Sequence, residues 1–242
     1  MNKNLIHSRF KKHLKDYDKN AKIQKIMAEK LISLCSKKQY KNILEIGCGT
    51  GFLTNFANNI LDFENYIAID IVDDCKQYIY EINPDINFIT ADIEAFEINF
   101  TPDLIISNAS LQWLEKFPET ISKLQKTLNT GGEFIFSIFG KENYREFLYI
   151  TGISLNYYSD YELKNMFPDA IIYPPEIHIM SFESPKDVLK HMQLTGVNAI
   201  EKKTWTKSDL KSFETEYSNL CGNRATLTYN PVYVKLANKT VG

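Results

Sequence analysis

Seven consecutive residues carry the first chemical signal: Glu45-Ile46-Gly47-Cys48-Gly49-Thr50-Gly51, an acid followed by three glycines at alternate positions. Glycines at such a turn let the backbone reverse tightly and lie close against a ligand. A dinucleotide site needs G-x-G-x-x-G and a helix N-terminus free to hold a pyrophosphate. Here the spacing is G-x-G-x-G, with a carboxylate standing just ahead of it. Negative charge from Glu45 repels phosphate and suits a cation. Asp70 ends the next apolar run, roughly 20 residues on, where an acid accepts hydrogen bonds from ribose hydroxyls. Asp92 ends the one after, in Thr90-Ala91-Asp92-Ile93, placed to accept from an adenine amino group while Ile71 and Ile93 cover the ring faces. Either aspartate alone also reads as a helix N-cap. Two at successive run ends, behind a glycine turn, read together as a site for a cationic nucleoside. S-adenosylmethionine, which carries a sulfonium and an ammonium and no phosphate, has that chemistry.

Such a site needs strands that end at the turn and at both acids. Short apolar runs at Asn42–Ile46, Tyr66–Ile69, Asn87–Thr90, Asp103–Ser107 and Glu133–Phe139 read as strands. Helical spacing at 52–61, 73–83 and 118–129 falls between them. Nearly continuous apolar strands alternating with helices predict a parallel sheet covered on both faces, with ligands at the strands' carboxyl ends. Ahead of this core, Phe10, Leu14, Tyr17, Ala21, Ala28 and Leu31 recur at helical spacing, so residues 8–36 read as one or two amphipathic helices. After Phe139 the alternation breaks. A stretch rich in Tyr, Phe and Pro, from Lys141 to about Met180, reads as helices packed over the sheet's upper edge. Ile177–Phe182 reads as a sixth strand, Pro185–Met192 and Lys207–Leu220 as helices. Leu227–Leu236 reads as a final strand, antiparallel to the sixth. The expected organisation is a single domain: N-terminal helices over 1–40, a cofactor-binding core over 41–140, a lid insertion over 141–176, and C-terminal strands and helices over 177–242.

Composition narrows the class. A chain of 242 residues with 44% apolar residues can bury a large core. No apolar run approaches the roughly 20 residues that span a bilayer, and the N-terminus lacks an apolar secretory segment. Cys35, Cys48, Cys75 and Cys221 are scattered without a Cys-x-x-Cys pair, and His178 and His191 have no metal-ligand spacing. A cytoplasmic enzyme with reduced thiols, no metal and no membrane partner is expected. The net charge of -2 hides an asymmetry: residues 1–41 hold 12 of the 28 Lys and Arg residues against Asp16, Asp18 and Glu29. A positive segment on an acidic body suits an acidic partner, or is a solvated helix face. Nucleic acid would also suit it, but the acidic remainder and the lack of an RNA-binding module argue against that.

The series Glu45 to Gly51, Ile69-Asp70, Ala91-Asp92 and Ser107-Asn108-Ala109-Ser110-Leu111-Gln112-Trp113 resembles class I S-adenosylmethionine-dependent methyltransferases over residues 40–140. Two further segments resemble the malonyl-[acyl-carrier-protein] O-methyltransferase family of biotin synthesis across nearly the whole chain. One is Phe10…Tyr17-Asp18-Lys19-Asn20-Ala21…Gln24…Ala28. The other is Val188-Leu189-Lys190-His191-Met192-Gln193-Leu194-Thr195-Gly196-Val197-Asn198-Ala199, with Leu227-Thr228-Tyr229 after it. The resemblance implies an α/β, Rossmann-like fold with a mostly parallel seven-stranded sheet, helices on both faces and a helical lid. It implies methylation of the free carboxylate of a malonyl thioester by a monomer, with malonyl-acyl carrier protein docking near the basic N-terminal helix.

That chemistry asks little of acid–base groups, since a carboxylate is already ionised at neutral pH. The expected cofactor contacts are Gln24, Glu45, Gly47, Gly49, Gly51, Asp70, Ile71, Asp92, Ile93, Asn108 and Ala109. Asn108 and Ala109 line the methyl-transfer cleft, without the Asn/Asp-Pro-Pro motif of enzymes that methylate amino nitrogen. Tyr17 either closes over the methyl group or is a half-buried core tyrosine. Arg145 either grips the malonyl carbonyls or carboxylate, or pairs with Glu142 or Glu146 at the surface. Two other readings stay open: a carboxyl methyltransferase of a small acid such as trans-aconitate, and a non-catalytic S-adenosylmethionine-binding partner protein.

Overall fold

The structure, a computed structural model, describes residues 3–195, 205–222 and 224–238. The family-like residues Gly196 to Ala199 lie outside them. Two helices open the chain, α1 (Lys3–Asn20) and α2 (Lys22–Ser33), joined at Ala21 (φ −84°, ψ 47°). The lysine-rich start is thus helical five residues earlier than its apolar spacing alone indicated, and the break at Ala21 makes it two helices. Leu14, Met27, Ala28, Leu31 and Ile32 are buried, and the lysines between them are exposed.

The alternating core follows: β1 (Gln39–Ile46), α3 (Phe52–Ile60), β2 (Asp62–Asp70), α4 (Cys75–Ile82), β3 (Asn87–Thr90), β4 (Leu104–Asn108), α5 (Phe117–Thr127) and β5 (Glu133–Phe139). A turn of 3-10 helix at Leu111–Trp113 follows β4. All of β5 is buried, as a strand covered on both faces requires. Beyond it come α6 (Arg145–Thr151), α7 (Asp160–Met166), β6 (Ile171–Ile172), β7 (His178–Phe182), α8 (Pro185–Leu194), α9 (Lys207–Cys221), β8 (Ala225–Tyr229) and β9 (Pro231–Ala237).

The main sheet has seven strands in the order β3-β2-β1-β4-β5-β9-β6, parallel from β3 to β5, with β9 antiparallel to both neighbours. One apolar cluster packs α1 to α4 on one face, and a second packs α5 and α7 on the other. A third joins α2, α6, α8 and α9 to a separate two-stranded sheet of β7 and β8.

Here the chain departs from its sequence pattern. The apolar run 227–236 is two strands serving two sheets. Tyr229 pairs with His178 in the small sheet, while Pro231 pairs with Phe139 in the large one. Proline has no N–H for the ladder and sits at the first residue of β9. Asn230 holds the crossing point: its carbonyl accepts from Gly140 N–H (2.8 Å), its amide donates to the Glu176 carbonyl (3.1 Å), and its N–H donates to Asn143 Oδ1 (3.2 Å). The strand that completes the large sheet is β6, inside the segment expected to be a purely helical lid. The expected sixth strand belongs to the small sheet instead.

At the far end of the sheet Glu133 is buried, paired with Lys235 of β9 (2.5 Å), and accepts from Tyr40 of β1. Burial opposes its charge, but bonds from Lys235 and Tyr40 hold its carboxyl below the usual carboxylate range. Lys235→Met strands a buried anion and should cost about 3 kcal/mol in urea unfolding. Glu133→Gln in the same background should recover part of that loss.

Candidate active site

The parallel register builds the site. Pairing of Glu45 with Ala68 and Ile46 with Ile69 brings the glycine turn onto the end of β2, where Gly47 N–H donates to the Ile69 carbonyl (2.7 Å). Gly47 has φ +69°, and a Cβ there would overlap the Ser110 side chain beyond β4. Glycine is therefore required at this position for both backbone and space. Asp70 is then fixed by two main-chain donors, Gly49 N–H to Oδ2 and Val72 N–H to Oδ1, each 2.9 Å. Burial pushes its carboxyl upward, opposed by those two bonds. The next register, Asp70 beside Thr90, sets Asp92 one strand over.

A cleft opens over these strand ends. Every expected cofactor residue but Gly51 lines it: Gln24, Glu45, Gly47, Gly49, Asp70, Ile71, Asp92, Ile93, Asn108 and Ala109. Gly51 caps α3 instead, in a left-handed conformation. Tyr17 lines the cleft too, half-buried, its ring edge-on to Phe10 at 5.0 Å. Phe10 in turn covers Gly49. Lys3 binds Asp92 and Glu94, and Lys11 binds Asp73 (3.1 Å) and Asp74. The first helix is thus clamped over the cleft by ion pairs near its start and along its length. Asp92 keeps one oxygen on Lys3 and the other on Glu94 N–H (3.0 Å), so the expected adenine acceptor is already engaged.

Glu45 is 1% exposed. Its Oε2 accepts from Thr54 of α3 (2.7 Å) and Tyr66 of β2 (2.5 Å), while its Oε1 has no partner. Gln24 Oε1, Thr50 Oγ1 and Gln112 Oε1 are likewise buried and unpaired, and all four residues line the cleft. Buried acceptors without donors call for a ligand that supplies them. A carboxylate, an amide and a glycine turn suit an ammonium-bearing nucleoside, so the residues present fit S-adenosylmethionine.

Two expectations meet a different geometry. Asn108 of β4 uses both ends of its side chain within the protein: Nδ2 donates to the Gln24 carbonyl (2.9 Å) and Oδ1 accepts from Ser137 (2.7 Å). It thereby docks α2 on the sheet. Ala109 beside it has φ +48°, a rare conformation for a residue with a side chain. Arg145 does not line the cleft. It is half exposed and lies near Glu142 (3.5 Å) and Glu146 (3.9 Å), the surface pairing weighed from sequence. The reason is helical phase: Tyr144, Glu146 and Phe147 face inward at the start of α6, so Arg145 faces out. Leu155 and Tyr157 line the cleft without a sequence signal of their own, whereas Thr50 sits inside the glycine motif, Phe139 ends the fifth predicted strand and Thr195 lies in the family-like segment 188–199. Among the described residues no group of three His, Cys, Asp or Glu is placed to hold a metal, and no helix is long and apolar enough to cross a membrane.

A methyltransferase-domain family model matches residues 17–201. A malonyl-[acyl-carrier protein] O-methyltransferase of Chlorobium luteolum is 33% identical, over 99% of this chain and 97% of that one. The enzyme of the same name from Bacteroides thetaiotaomicron is 32% identical across the whole of both chains. In fold, the chain is similar to the N-methyltransferase NodS of Bradyrhizobium japonicum in complex with S-adenosyl-L-homocysteine: TM-score 0.56, 14% identity, 97% of this chain and 99% of that one. It is also similar to the YcgJ protein of Bacillus subtilis, at TM-score 0.65, 9% identity, and 89% and 99% of the two chains.

Burial pushes the Glu45 carboxyl up to about 7, with the bonds from Tyr66 and Thr54 pulling the other way. Below that pH the side chain is neutral, and above it an anion faces the cleft. Affinity for S-adenosylmethionine should therefore rise with pH between about 5.5 and 7, by at most about tenfold per unit. Glu45→Gln should flatten that slope in calorimetric titrations.

Proposed function

This chain belongs to the malonyl-[acyl-carrier protein] O-methyltransferase family, and from that premise we propose how its cleft works. It is an S-adenosylmethionine-dependent carboxyl O-methyltransferase that converts the free carboxylate of a malonyl thioester to its methyl ester in biotin synthesis. The observation that carries the reading is the set of buried, unpaired acceptors, Glu45 Oε1 foremost, around a glycine turn with no phosphate-binding spacing.

S-adenosylmethionine supplies a methyl group on a sulfonium, an activated leaving group. Glu45 and Gln24 receive its ammonium, and the free lone pairs of Asp70 receive the ribose hydroxyls. Asp92 takes the adenine amino group as Lys3 gives way, between Ile71 and Ile93. The substrate oxygen forms the new bond to carbon as the carbon–sulfur bond breaks, and the electron pair stays on sulfur. No proton moves, so the protein's task is alignment and exclusion of water. Phe10 and Tyr17 on α1 supply the cover, and the ester product loses the charge of the acid.

The carrier protein docks on the outer face of α1 and α2. Lys12, Lys15, Lys19 and Lys25 are exposed there and form no ion pair with a described residue, while Lys3 and Lys11 are spent on the clamp. An acidic carrier protein is complementary to such a face.

Mass spectrometry of malonyl-acyl carrier protein after incubation with enzyme and S-adenosylmethionine should show the gain of one methyl ester. Binding of the nucleoside without that gain, on either the carrier-protein or the coenzyme A thioester, would leave a binding protein and sink the enzyme reading. Lys15→Glu with Lys19→Glu should raise KM for the carrier-protein thioester about tenfold and steepen no other substrate's salt dependence. Equal, salt-independent turnover of both thioesters would reject the docking face.

A further inference from the structure

A carboxylate that attacks a sulfonium must be oriented, yet few basic residues among those described line the cleft. Among the described residues that line it, Lys3 and His7 are the basic ones. Lys3 is engaged by Asp92 and Glu94, and His7 stands one turn along the same helix. Both belong to the β3 side. Arg145 faces away. The opposite side, past the end of β5, offers hydroxyl groups instead.

Tyr144 stands at the head of α6 with φ +56°, one of two residues other than glycine with positive φ among those described. Such strain in a bulky residue persists where the surroundings demand it, and it collects at functional sites. The turn drives the side chain inward, to 3% exposure, with its ring edge-on to Tyr229 at 5.0 Å. Tyr229 is bonded through its hydroxyl to His191 Nε2 (2.5 Å), and burial keeps His191 neutral, its pKa pushed down to about 4. Tyr157, in the cleft wall, accepts from Asn143 Nδ2 (2.9 Å). The hydroxyls of Tyr229 and Tyr157 are therefore tied. That of Tyr144 is not. It faces the hydroxyls of Tyr229 and of cleft-lining Thr195 without closing a well-formed hydrogen bond to either, and it is buried and unpaired. A buried tyrosine hydroxyl ordinarily has a partner.

Of these groups Thr195 lines the cleft itself, and Tyr144 and Tyr229 stand behind it. We propose that the Tyr144 hydroxyl, reached from the cleft past Thr195, is the donor for the carboxylate oxygen of the malonyl group that does not attack. The assignment rests on the malonyl-thioester reading above. A neutral donor suits the chemistry: it fixes the anion's direction, while a guanidinium bound to the attacking oxygen would draw off the charge that makes it nucleophilic. The subsite lies across the cleft from Asp92, so substrate and adenine enter from opposite ends of the strand tips.

Tyr144→Phe in the full chain tests this, because the hydroxyl it deletes closes no well-formed hydrogen bond with a described residue. The thermal midpoint should stay level or rise, and affinity for S-adenosylmethionine should stay within about twofold. KM for the malonyl thioester should rise about tenfold or more, while inhibition by the acetyl thioester, which lacks the carboxylate, should not change. Thr195→Val is the second arm, should the first variant not fold, with the same split expected at smaller size. An unchanged malonyl KM beside active wild type overturns the subsite, and so does equal weakening of both thioesters. Wild-type protein that turns over no malonyl thioester fails one level up: the functional reading falls, and the subsite with it.

Discussion

One hydrogen bond, from Gly47 N–H to the Ile69 carbonyl, fastens the glycine turn of the first strand to the tip of the second. It forms because seven residue pairs hold β1 and β2 in parallel register, and it leaves Gly49 N–H aimed at Asp70. A shift of one residue would turn Glu45 to the other face and put Asp70 out of reach of the loop. The anchored Asp70, the buried Glu45 and the floor of the cleft are thus consequences of a single alignment. The glycine is needed twice at this point, for its left-handed backbone and for the space that Ser110 takes.

Charge organises the rest. The cleft concentrates acids, and an acid-lined cleft free of ligand is unstable unless something opposes it. Two devices do so. Burial raises Glu45 toward neutrality, and Lys3 and Lys11 bring positive charge across from α1 to Asp92, Glu94, Asp73 and Asp74. The same ion pairs close the helix over the cleft. Lys12, Lys15, Lys19 and Lys25 on the other side of these helices form no ion pair with a described residue.

The second half of the chain is built around a crossing. At Asn230-Pro231 one apolar run leaves the small sheet and enters the large one, and the same place carries Gly140, Asn143 and Glu176 in hydrogen bonds. Tyr144 follows directly, its carbonyl neighbours committed to α6 and its N–H donated to Thr228 (2.7 Å). The head of α6 is therefore attached to the core by the residues that separate the two sheets. Insertion and core share one hydrophobic cluster, in which Tyr144, Tyr157, Tyr229 and Phe139 all take part.

Local rules were enough for the α/β core. A strand buried on both faces must be nearly apolar throughout, so β5 stood at its true limits in the sequence, as did the edge strand β3, and the glycine turn with Asp70 and Asp92 marked the strand tips in order. The nucleoside floor was legible because main-chain geometry, set by glycine and by strand ends, makes most of it. What the chain alone did not decide was direction and partnership. Arg145 drew the sequence reading because it carries a charge, while its neighbour Tyr144 carried no signal, and only the packing at the head of α6 sends one outward and the other in. The run 227–236 looked like one strand because apolar alternation carries no record of which sheet supplies the next hydrogen bond. The engagement of Asp92 by Lys3 joins residues 89 positions apart, and no local pattern encodes a contact that arises only when a helix is laid across the finished sheet.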